Sequence, residues 1–371
     1  MKVMSVFGTR PEAIKMCPLV KELEATEGIE SIVCLTGQHR EMLQQVIDIF
    51  GTKVDYNLNI MRQGQTLTTI TADILTGIED VLKTVKPDIV LVHGDTSTSF
   101  VAALAAFYQQ IPVGHVEAGL RTFDKYSPFP EEMNRSLTGR IAELHFAPTQ
   151  NNLNNLKNEG IESNVFVTGN TVIDAFKTTV REEYSYKDKD LQLLQPPKGK
   201  TVLVTAHRRE NLGQPLVNIC SAIKELALQF PELCFIYPMH MNPAVRGTAH
   251  EILDECHNVN LIEPLDVEDM HNLMSRSLLV MTDSGGLQEE APACGVPVLV
   301  LRTETERPEA VAAGTVKVVG IDNQVIVSEA VRLLTDSSAY AEMAHAVNPY
   351  GDGHASERIA QHLLNWYAEK S

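Results

Sequence analysis

Short, continuous runs of apolar residues separated by helix-length segments recur along the whole chain. They occupy residues 3–7, 31–35, 89–93, 112–116, 145–148 and 165–168 in the first half, and 201–205, 234–237, 259–262, 278–281, 297–301 and 315–319 in the second. Strands that are buried on both faces of a parallel sheet are continuously apolar, whereas half-exposed strands alternate. The pattern therefore predicts an α/β fold with two parallel sheets built from βα units.

The length of the chain also favours two domains. A single core rarely serves 371 residues, because domains usually hold about 100–200 residues. A polar segment at 181–200, which contains Pro196 and Pro197, separates the two sets of apolar runs. We predict an N-terminal Rossmann-like domain at 1–170, a connecting helix and linker at 171–200, a C-terminal Rossmann-like domain at 201–354, and a last helix at 355–371 that packs back on the N-terminal domain.

Composition argues against several classes of function. The 48 acidic residues outnumber the 31 basic ones and give a formal net charge of −17, which argues against nucleic acid or an anionic membrane surface as a partner. No apolar run reaches the roughly 18 residues that a membrane span requires, and the N-terminus has no signal-peptide pattern. The six cysteines are scattered without a C-x-x-C pair, as in proteins of a reducing compartment. We therefore expect a cytoplasmic protein without membrane insertion.

The common cofactor motifs do not occur in the sequence. Neither half has G-x-G-x-x-G after its first apolar run, so a tightly bound dinucleotide is not expected. H-E-x-x-H and zinc-type cysteine spacings do not occur either, so no metal is expected.

Polar residues follow nearly every apolar run. The first half has GTRPEAIK at 8–15, HGDTST at 93–98, HVEAGLRT at 115–122 and SPFPEEMNR at 127–135; the second has TAHRREN at 205–211, TDSGGLQEE at 282–290 and RTETERPEA at 302–310. In doubly wound sheets, ligands bind beyond the carboxyl ends of the strands. Each residue alone is also explained as a helix cap or a surface charge. Their coincidence at one edge of both sheets favours a site, and we expect the two sheets to face each other across a cleft.

The residue types in these segments suit a nucleoside diphosphate. Five cationic or ionisable side chains are available for its phosphates, namely Arg10, Lys15, His207, Arg208 and Arg307. Ser284, Gly285 and Gly286 provide a helix N-terminus whose N–H groups could hold phosphate. Glu290 lies about one helical turn further, where a carboxylate could accept the ribose hydroxyls.

Three carboxylates have no such binding role. Asp95, Glu117 and Glu131 would repel a diphosphate unless they perform acid–base chemistry on the group that it carries. This favours an enzyme that acts on a nucleotide sugar.

Several motifs together resemble one enzyme family, the non-hydrolysing UDP-N-acetylglucosamine 2-epimerases. They are FGTRPEAIKM, VHGDTST, PVGHVEAGLRT, PEEMNR, GNTVIDA, TAHRREN, TDSGGLQEEAP, ERPEA and NPYGDG, in unbroken order from about residue 1 to residue 365. The resemblance implies the two-domain glycosyltransferase-B fold, a UDP-binding C-terminal domain, and a homodimer. It also implies reversible interconversion of UDP-N-acetylglucosamine and UDP-N-acetylmannosamine without a cofactor.

The resemblance also implies roles for individual residues. The acid–base groups of the family fall on Asp95, Glu117, Glu131 and His207, and which carboxylate removes the C2 proton stays open. Its nucleotide contacts fall on Arg10, His240, Ser284, Gly285, Gly286, Glu290 and Arg307, with Met270 near the uracil. Lys15 and Arg135 match further positions on the substrate side.

Many members of the family are activated by a second substrate molecule beside the active site. The resemblance places candidates for that site at Gln38, His39 and Gln65. Glu41 and Gly64 depart from the family pattern in the same segments. Whether this chain is activated by its substrate therefore stays open.

The mechanism that the resemblance implies is elimination and re-addition of UDP. The C2 proton has no adjacent carbonyl to acidify it, so its removal accompanies breakage of the C1–O bond and gives a glycal. The products would serve as precursors of cell-surface polysaccharide. The alternatives are a UDP-sugar-dependent glycosyltransferase of the same fold, a hydrolysing epimerase, and a nucleotide-sugar sensor.

Overall fold

The computed structural model describes residues 1–37, 40–62 and 64–370. They divide into two compact units, Met1–Thr178 together with Tyr350–Ser371, and Thr179–Pro349. Each unit is built around one parallel β-sheet.

The first unit contains a seven-stranded sheet in the order β3-β2-β1-β4-β5-β6-β7. All of its strand pairs are parallel. The strands are β1 (Lys2–Phe7), β2 (Glu30–Leu35), β3 (Tyr56–Asn57), β4 (Ile89–His93), β5 (Val113–Val116), β6 (Leu144–Ala147) and β7 (Val165–Val167). The helices between them are α1 (Arg10–Ala25), α2 (Arg40–Phe50), α3 (Leu67–Val85), α4 (Ser97–Tyr108), α5 (Glu131–Ile141) and α6 (Gln150–Asn158), and α7 (Thr171–Thr179) follows β7.

The second unit contains a six-stranded parallel sheet in the order β10-β9-β8-β11-β12-β13. The strands are β8 (Thr201–Thr205), β9 (Cys234–Pro238), β10 (Val259–Ile262), β11 (Leu279–Thr282), β12 (Val298–Val300) and β13 (Val316–Val318). The helices are α8 (Lys189–Leu194), α9 (Gln214–Gln229), α10 (Pro243–Leu253), α11 (Val267–Arg276), α12 (Gly285–Glu290), α13 (Pro308–Ala313), α14 (Asn323–Thr335) and α15 (Ser337–Ala344). In both sheets the strand order reverses beside the first strand, which is where doubly wound sheets bind ligands.

The last helix, α16 (Ala355–Lys370), belongs to the first unit, where it packs against α1. Its buried face includes Ile359, Leu363 and Trp366. The chain thus returns to the first unit after completing the second.

The predicted fold class, with two parallel sheets, is confirmed. Central strands such as β4 are buried at every position, which explains why their sequences are continuously apolar. The two-residue strand β3 was not predicted, because a short edge strand needs no apolar run.

The region predicted as a connecting helix and linker, 171–200, contains α7, an irregular segment and the short helix α8. Residues 180–188 are not helical and lie against α11. Asp269 accepts hydrogen bonds from the backbone N–H groups of Lys187 at 3.0 Å and Asp188 at 2.8 Å, and from Tyr184 Oη at 2.8 Å. A carboxylate on a neighbouring helix thus satisfies backbone donors that a helix would have paired internally.

No helix in the described part of the chain is long and apolar enough to cross a membrane.

Candidate active site

A capping box fixes the start of α1 at the carboxyl end of β1. Glu12 Oε2 accepts hydrogen bonds from the backbone N–H groups of Gly8 at 3.0 Å and Thr9 at 2.7 Å. Its other oxygen, Oε1, accepts hydrogen bonds from Thr96 Oγ1 at 2.6 Å and Ser99 Oγ at 3.2 Å. Glu12 therefore joins the loop after β1 to the loop after β4. It was not predicted as a site residue, although the T-x-x-E spacing of a capping box marks it.

Two predicted site residues project from this anchored helix. Arg10 is the first residue of α1 and is half-buried. Lys15 lies further along and forms an ion pair with Glu117. The turn before the helix is tightly packed, because a Cβ on Gly8 would lie 1.9 Å from Thr36 Oγ1.

Glu117 follows β5 and is the most constrained of the predicted carboxylates. Besides Lys15, its Oε2 atom accepts a hydrogen bond from Asn170 Nδ2 at 3.0 Å and lies 3.6 Å from His93 Nε2. Its backbone adopts a φ of +61°, a left-handed conformation that costs a residue with a side chain of the order of 1 kcal/mol and is found preferentially at functional sites. The local fold thus directs this carboxylate toward Lys15, Asn170 and the imidazole ring of His93.

The electrostatic surroundings keep Glu117 ionised. Burial alone would raise the pKa of its carboxyl, but the positive charge of Lys15 and the contacts with His93 outweigh burial. The pKa of Glu117 is therefore held well below its ordinary value. The carboxylate is therefore unprotonated, as a general base must be, although the same contacts lower its basicity.

Asp95, after β4, is paired with Arg135. Arg135 Nη2 donates to Asp95 Oδ2 at 2.7 Å, and Asn134 Nδ2 donates to the Asp95 backbone oxygen at 2.9 Å. Both partners lie on α5, whose first turn is positioned by Glu132. The Glu132 carboxylate accepts hydrogen bonds from the backbone N–H groups of Thr122 and Phe123, each at 3.0 Å.

The environment of Asp95 raises the pKa of its carboxyl group, whereas that of Glu117 lowers it. Burial is the main influence and raises the pKa of Asp95, while the positive charge of Arg135 only partly opposes it. The negative charges of Glu117 and Glu131 raise it further. Glu131 itself is half-buried at the start of α5. The structure therefore brings Lys15, Asp95, Glu117, Glu131 and Arg135 within mutual electrostatic reach.

In the second unit, the segment 284–286 lies at the start of α12, beside two arginines. A Cβ on Gly285 would lie 3.7 Å from Arg307 Nη2 and 3.8 Å from Arg208 Nη2. Arg307 also forms an ion pair with Glu289. Arg208 Nε is buried without a hydrogen-bond partner among the described residues. Two guanidinium groups beside a glycine, whose backbone N–H a ligand can approach closely, form a candidate anion-binding site.

Glu290 lies at the end of the same short helix. A Cβ on Gly286 would lie 3.1 Å from Glu290 Oε1, so the carboxylate lies over the start of α12. Glu290 Oε2 lies 3.5 Å from Nε2 of the buried His271. The Nδ1 atom of His271 is 2.8 Å from Thr179 Oγ1. Met270 precedes this histidine on α11 and is half-buried.

His207 and His240 lie together, after β8 and β9. Their rings are stacked, with centroids 5.3 Å apart and an interplanar angle of 10°. Burial is the largest influence on His207 and lowers its pKa, while the carboxylate of Asp283 opposes that effect. Asp283 was not predicted, although its position directly after β11 in TDSGG marks it. His93 and Asn170 were also missed as site residues, although both lie in recognised motifs.

Of the residues predicted for a second substrate site, Gln38 and His39 lie outside the described residues. Gln65 belongs to a local network that precedes α3. Its Oε1 atom accepts from Arg62 N at 2.8 Å, and its Nε2 atom donates to Ile60 O at 2.8 Å and to Asp73 Oδ2 at 3.1 Å. A role for Gln65 in binding a second substrate stays a prediction.

Within the part of the chain that the structure describes, no group of three or more His, Cys, Asp or Glu side chains is arranged to hold a metal ion.

Comparison with known proteins identifies the family. The family model described as UDP-N-acetylglucosamine 2-epimerase matches residues 21–364. The UDP-N-acetylglucosamine 2-epimerase of Bacillus subtilis is 55% identical over 368 residues, which cover 99% of this chain and 96% of that protein. This chain belongs to the UDP-N-acetylglucosamine 2-epimerase family. The predicted family resemblance is confirmed.

Solved structures of this family share the fold along the whole chain. The UDP-GlcNAc 2-epimerase of Neisseria meningitidis, solved bound to UDP-GlcNAc, has a TM-score of 0.87 at 51% identity and covers 98% of this chain and 100% of its own. The MnaA–UDP co-structure from Staphylococcus aureus has a TM-score of 0.87 at 50% identity, covering 99% and 97%. A glycotransferase of kitacinnamycin, only 12% identical, has a TM-score of 0.64 over 98% of each chain. The predicted glycosyltransferase-B fold is thus confirmed, whereas the glycosyltransferase alternative for function is not favoured.

Proposed function

We propose that this protein interconverts UDP-N-acetylglucosamine and UDP-N-acetylmannosamine by inverting C2 of the sugar, without hydrolysis. Membership of the epimerase family supports the reaction type. The Neisseria relative that was solved bound to UDP-GlcNAc supports the substrate. The observation that carries the proposal is the position of two carboxyl groups, Glu117 and Asp95, after the neighbouring strands β5 and β4, each held by a cation, Lys15 or Arg135. Their surroundings shift the two pKa values in opposite directions.

Opposite shifts suit a reaction that needs a base and an acid. In the proposed first step, a carboxylate takes the proton from C2 while the electrons of that C–H bond form the C1=C2 bond. The C1–O bond breaks, and its electron pair leaves with UDP. In the second step, an acid delivers a proton to the opposite face of C2, and the same UDP oxygen adds back to C1. We assign the base to Glu117 and the acid to Asp95, and their roles exchange in the reverse direction.

The remaining predicted residues bind and stabilise the substrate in this proposal. Arg10, Arg208, Arg307 and the segment 284–286 hold the diphosphate, whose leaving oxygen gains negative charge in the transition state. Glu290 accepts hydrogen bonds from the ribose hydroxyls. Met270 lies near the uracil, and His240 contacts the nucleotide. His207 serves as a further acid–base group. Lys15 and Arg135 hold Glu117 and Asp95 and contact the sugar side.

No redox cofactor enters this chemistry, because elimination and re-addition leave no net change in oxidation state. A homodimer, a cytoplasmic location and a role in supplying precursors of cell-surface polysaccharide belong to the same proposal. The dimer and the biosynthetic role rest on the family resemblance, and the location rests on the composition of the sequence.

Incubation with UDP-N-acetylglucosamine in D₂O, followed by NMR, tests the proposal. We expect both epimers to accumulate with deuterium at C2. Free N-acetylmannosamine with UDP would instead identify a hydrolysing enzyme. Unchanged substrate without deuterium would overturn the proposal in favour of a sensor or a transferase.

A further inference from the structure

Asp283 anchors the loop that carries His207. It directly follows β11, which pairs with β8 so that Thr282 lies beside Thr205. The residue after β11 therefore lies beside the loop that leaves β8. Asp283 is fully buried, and its Oδ2 atom accepts hydrogen bonds from the backbone N–H groups of His207 and Arg208, both at 2.7 Å.

One oxygen of this carboxylate makes all of the anchoring contacts. Asn211 Nδ2 also donates to Oδ2, at 2.9 Å. The other oxygen, Oδ1, is buried without a hydrogen-bond partner among the described residues. His207 Nδ1 lies 3.5 Å from it. A buried carboxylate oxygen without a donor is costly, and a small rotation of the imidazole would bring Nδ1–H into hydrogen-bond range.

We propose that Asp283 is a positioning residue for His207, accepting a hydrogen bond from Nδ1–H so that Nε2 is the atom available for proton transfer. A carboxylate that receives the Nδ1 proton of a histidine fixes both the tautomer and the orientation of the ring. This inference rests on the proposed acid–base role of His207. It explains why His207 would present Nε2, and not Nδ1, to the substrate.

The other groups that face His207 are consistent with this arrangement. The ring of His240 stacks on one face, and His240 Nδ1 accepts a hydrogen bond from Asn242 N at 3.1 Å. Burial is the largest influence on the pKa of His207 and lowers it; among nearby charges, Asp283 and Glu210 raise this pKa, whereas His240 and Arg208 lower it. Asp283 is the largest of the influences that favour the imidazolium form.

Asp283→Asn separates the anchoring role from the proposed one. An Asn side-chain oxygen can still accept the backbone hydrogen bonds at the Oδ2 position, so the loop keeps its anchor. Its NH₂ group would then face His207 Nδ1 and, as a donor, would favour the tautomer with the proton on Nε2. If Asp283 only anchored the loop, the wild-type histidine would have no reason to carry its proton on Nδ1, so the wild-type tautomer separates the two roles.

The experiment is ¹⁵N NMR of histidine-labelled protein without substrate, with the His207 signal assigned by its loss in His207→Gln. In the wild type we expect neutral His207 to carry its proton on Nδ1. In Asp283→Asn we expect the proton on Nε2 and a lower imidazolium pKa, because a nearby negative charge has been removed. We also expect kcat to fall about 10²-fold, the scale of general acid–base catalysis, with KM nearly unchanged.

Asp254→Asn is the matched control, because Asp254 Oδ1 lies 2.8 Å from His250 Nδ1 on the exposed surface of α10. It should leave kcat and the His207 titration unchanged. An Nε2–H tautomer in the wild type, or an unaltered tautomer and pKa in folded Asp283→Asn, would overturn the inference. If that variant does not fold, the wild-type tautomer decides. A wild type with the expected tautomer but no epimerase activity would contradict the proposed function alone.

Discussion

The charged groups of the two units are arranged in different ways. In the first unit, two basic residues of the candidate site face carboxylates of the same unit, since Lys15 faces Glu117 and Arg135 faces Asp95. In the second unit, Arg208 and Arg307 converge on Gly285. Arg307 is paired with Glu289, whereas Arg208 Nε is buried without a hydrogen-bond partner among the described residues. Charges that are balanced internally adjust pKa values, whereas a buried donor such as Arg208 Nε is available to a ligand.

Under the proposed function, this difference assigns proton transfer to the first unit and anion binding to the second. If it holds, substitutions that affect Lys15, Asp95, Glu117 and Arg135, the first cluster, should change turnover more than UDP affinity. Substitutions of the arginines beside Gly285, the second cluster, should change UDP affinity directly. Mutant kinetics distinguish the two, because loss of an interaction made only in the transition state lowers kcat, whereas loss of uniform binding raises KM.

The largest expected effect is on turnover in Glu117→Gln. The amide keeps the shape of the side chain but cannot accept the C2 proton, so kcat should fall by about 10²-fold or more. The dissociation constant for UDP, measured by calorimetry, should stay within about twofold. Glu79→Gln, which changes only an exposed pair with Lys83 on α3, is the control. Equal losses in turnover and UDP affinity would contradict the claim that the first cluster acts on turnover rather than on UDP binding.

A smaller effect is expected on ligand affinity in Arg208→Ala. Loss of a charged hydrogen bond costs about 1.5–3 kcal/mol, so UDP should bind roughly 10- to 100-fold more weakly. Arg332→Ala, on the exposed side of α14 where the arginine pairs with Glu329, should bind UDP normally. Unchanged UDP affinity in Arg208→Ala would remove this arginine from the phosphate site.

The sequence predicts the sheet strands well because their burial leaves a local mark. Runs of apolar residues mark β4 and β8 with the bounds that the structure has, since each position of these strands is buried. The two-residue edge strand β3 leaves no such mark. The non-helical course of residues 180–188 depends on Asp269 in α11, far away in sequence.

The site residues also divide into those marked locally in the sequence and those whose environment depends on distant contacts. Asp95 and Glu117 could be predicted, because polar residues after buried strands gather at one sheet edge. Their opposite pKa shifts could not, since these follow from distant partners such as Arg135 and Lys15. Asp283 was missed because one carboxylate after a strand has no visible partner in the sequence, and its partners are set by the pairing of β8 with β11.

The smallest effect, expected in Asn170→Ser, tests how finely the first cluster is tuned. Asn170 Nδ2 donates to Glu117 Oε2, while its Oδ1 atom accepts from Val172 N at 3.1 Å at the start of α7. Serine also caps helices well, so α7 should keep its cap while Glu117 loses one donor. At about 1 kcal/mol for a net hydrogen bond, kcat should fall about fivefold, with UDP affinity and the thermal midpoint nearly unchanged. A fall in UDP affinity as large as the fall in kcat would mean that Asn170 contributes to UDP binding. The first cluster would then not be specific to turnover, and the contrast with the arginines beside Gly285 would be wrong.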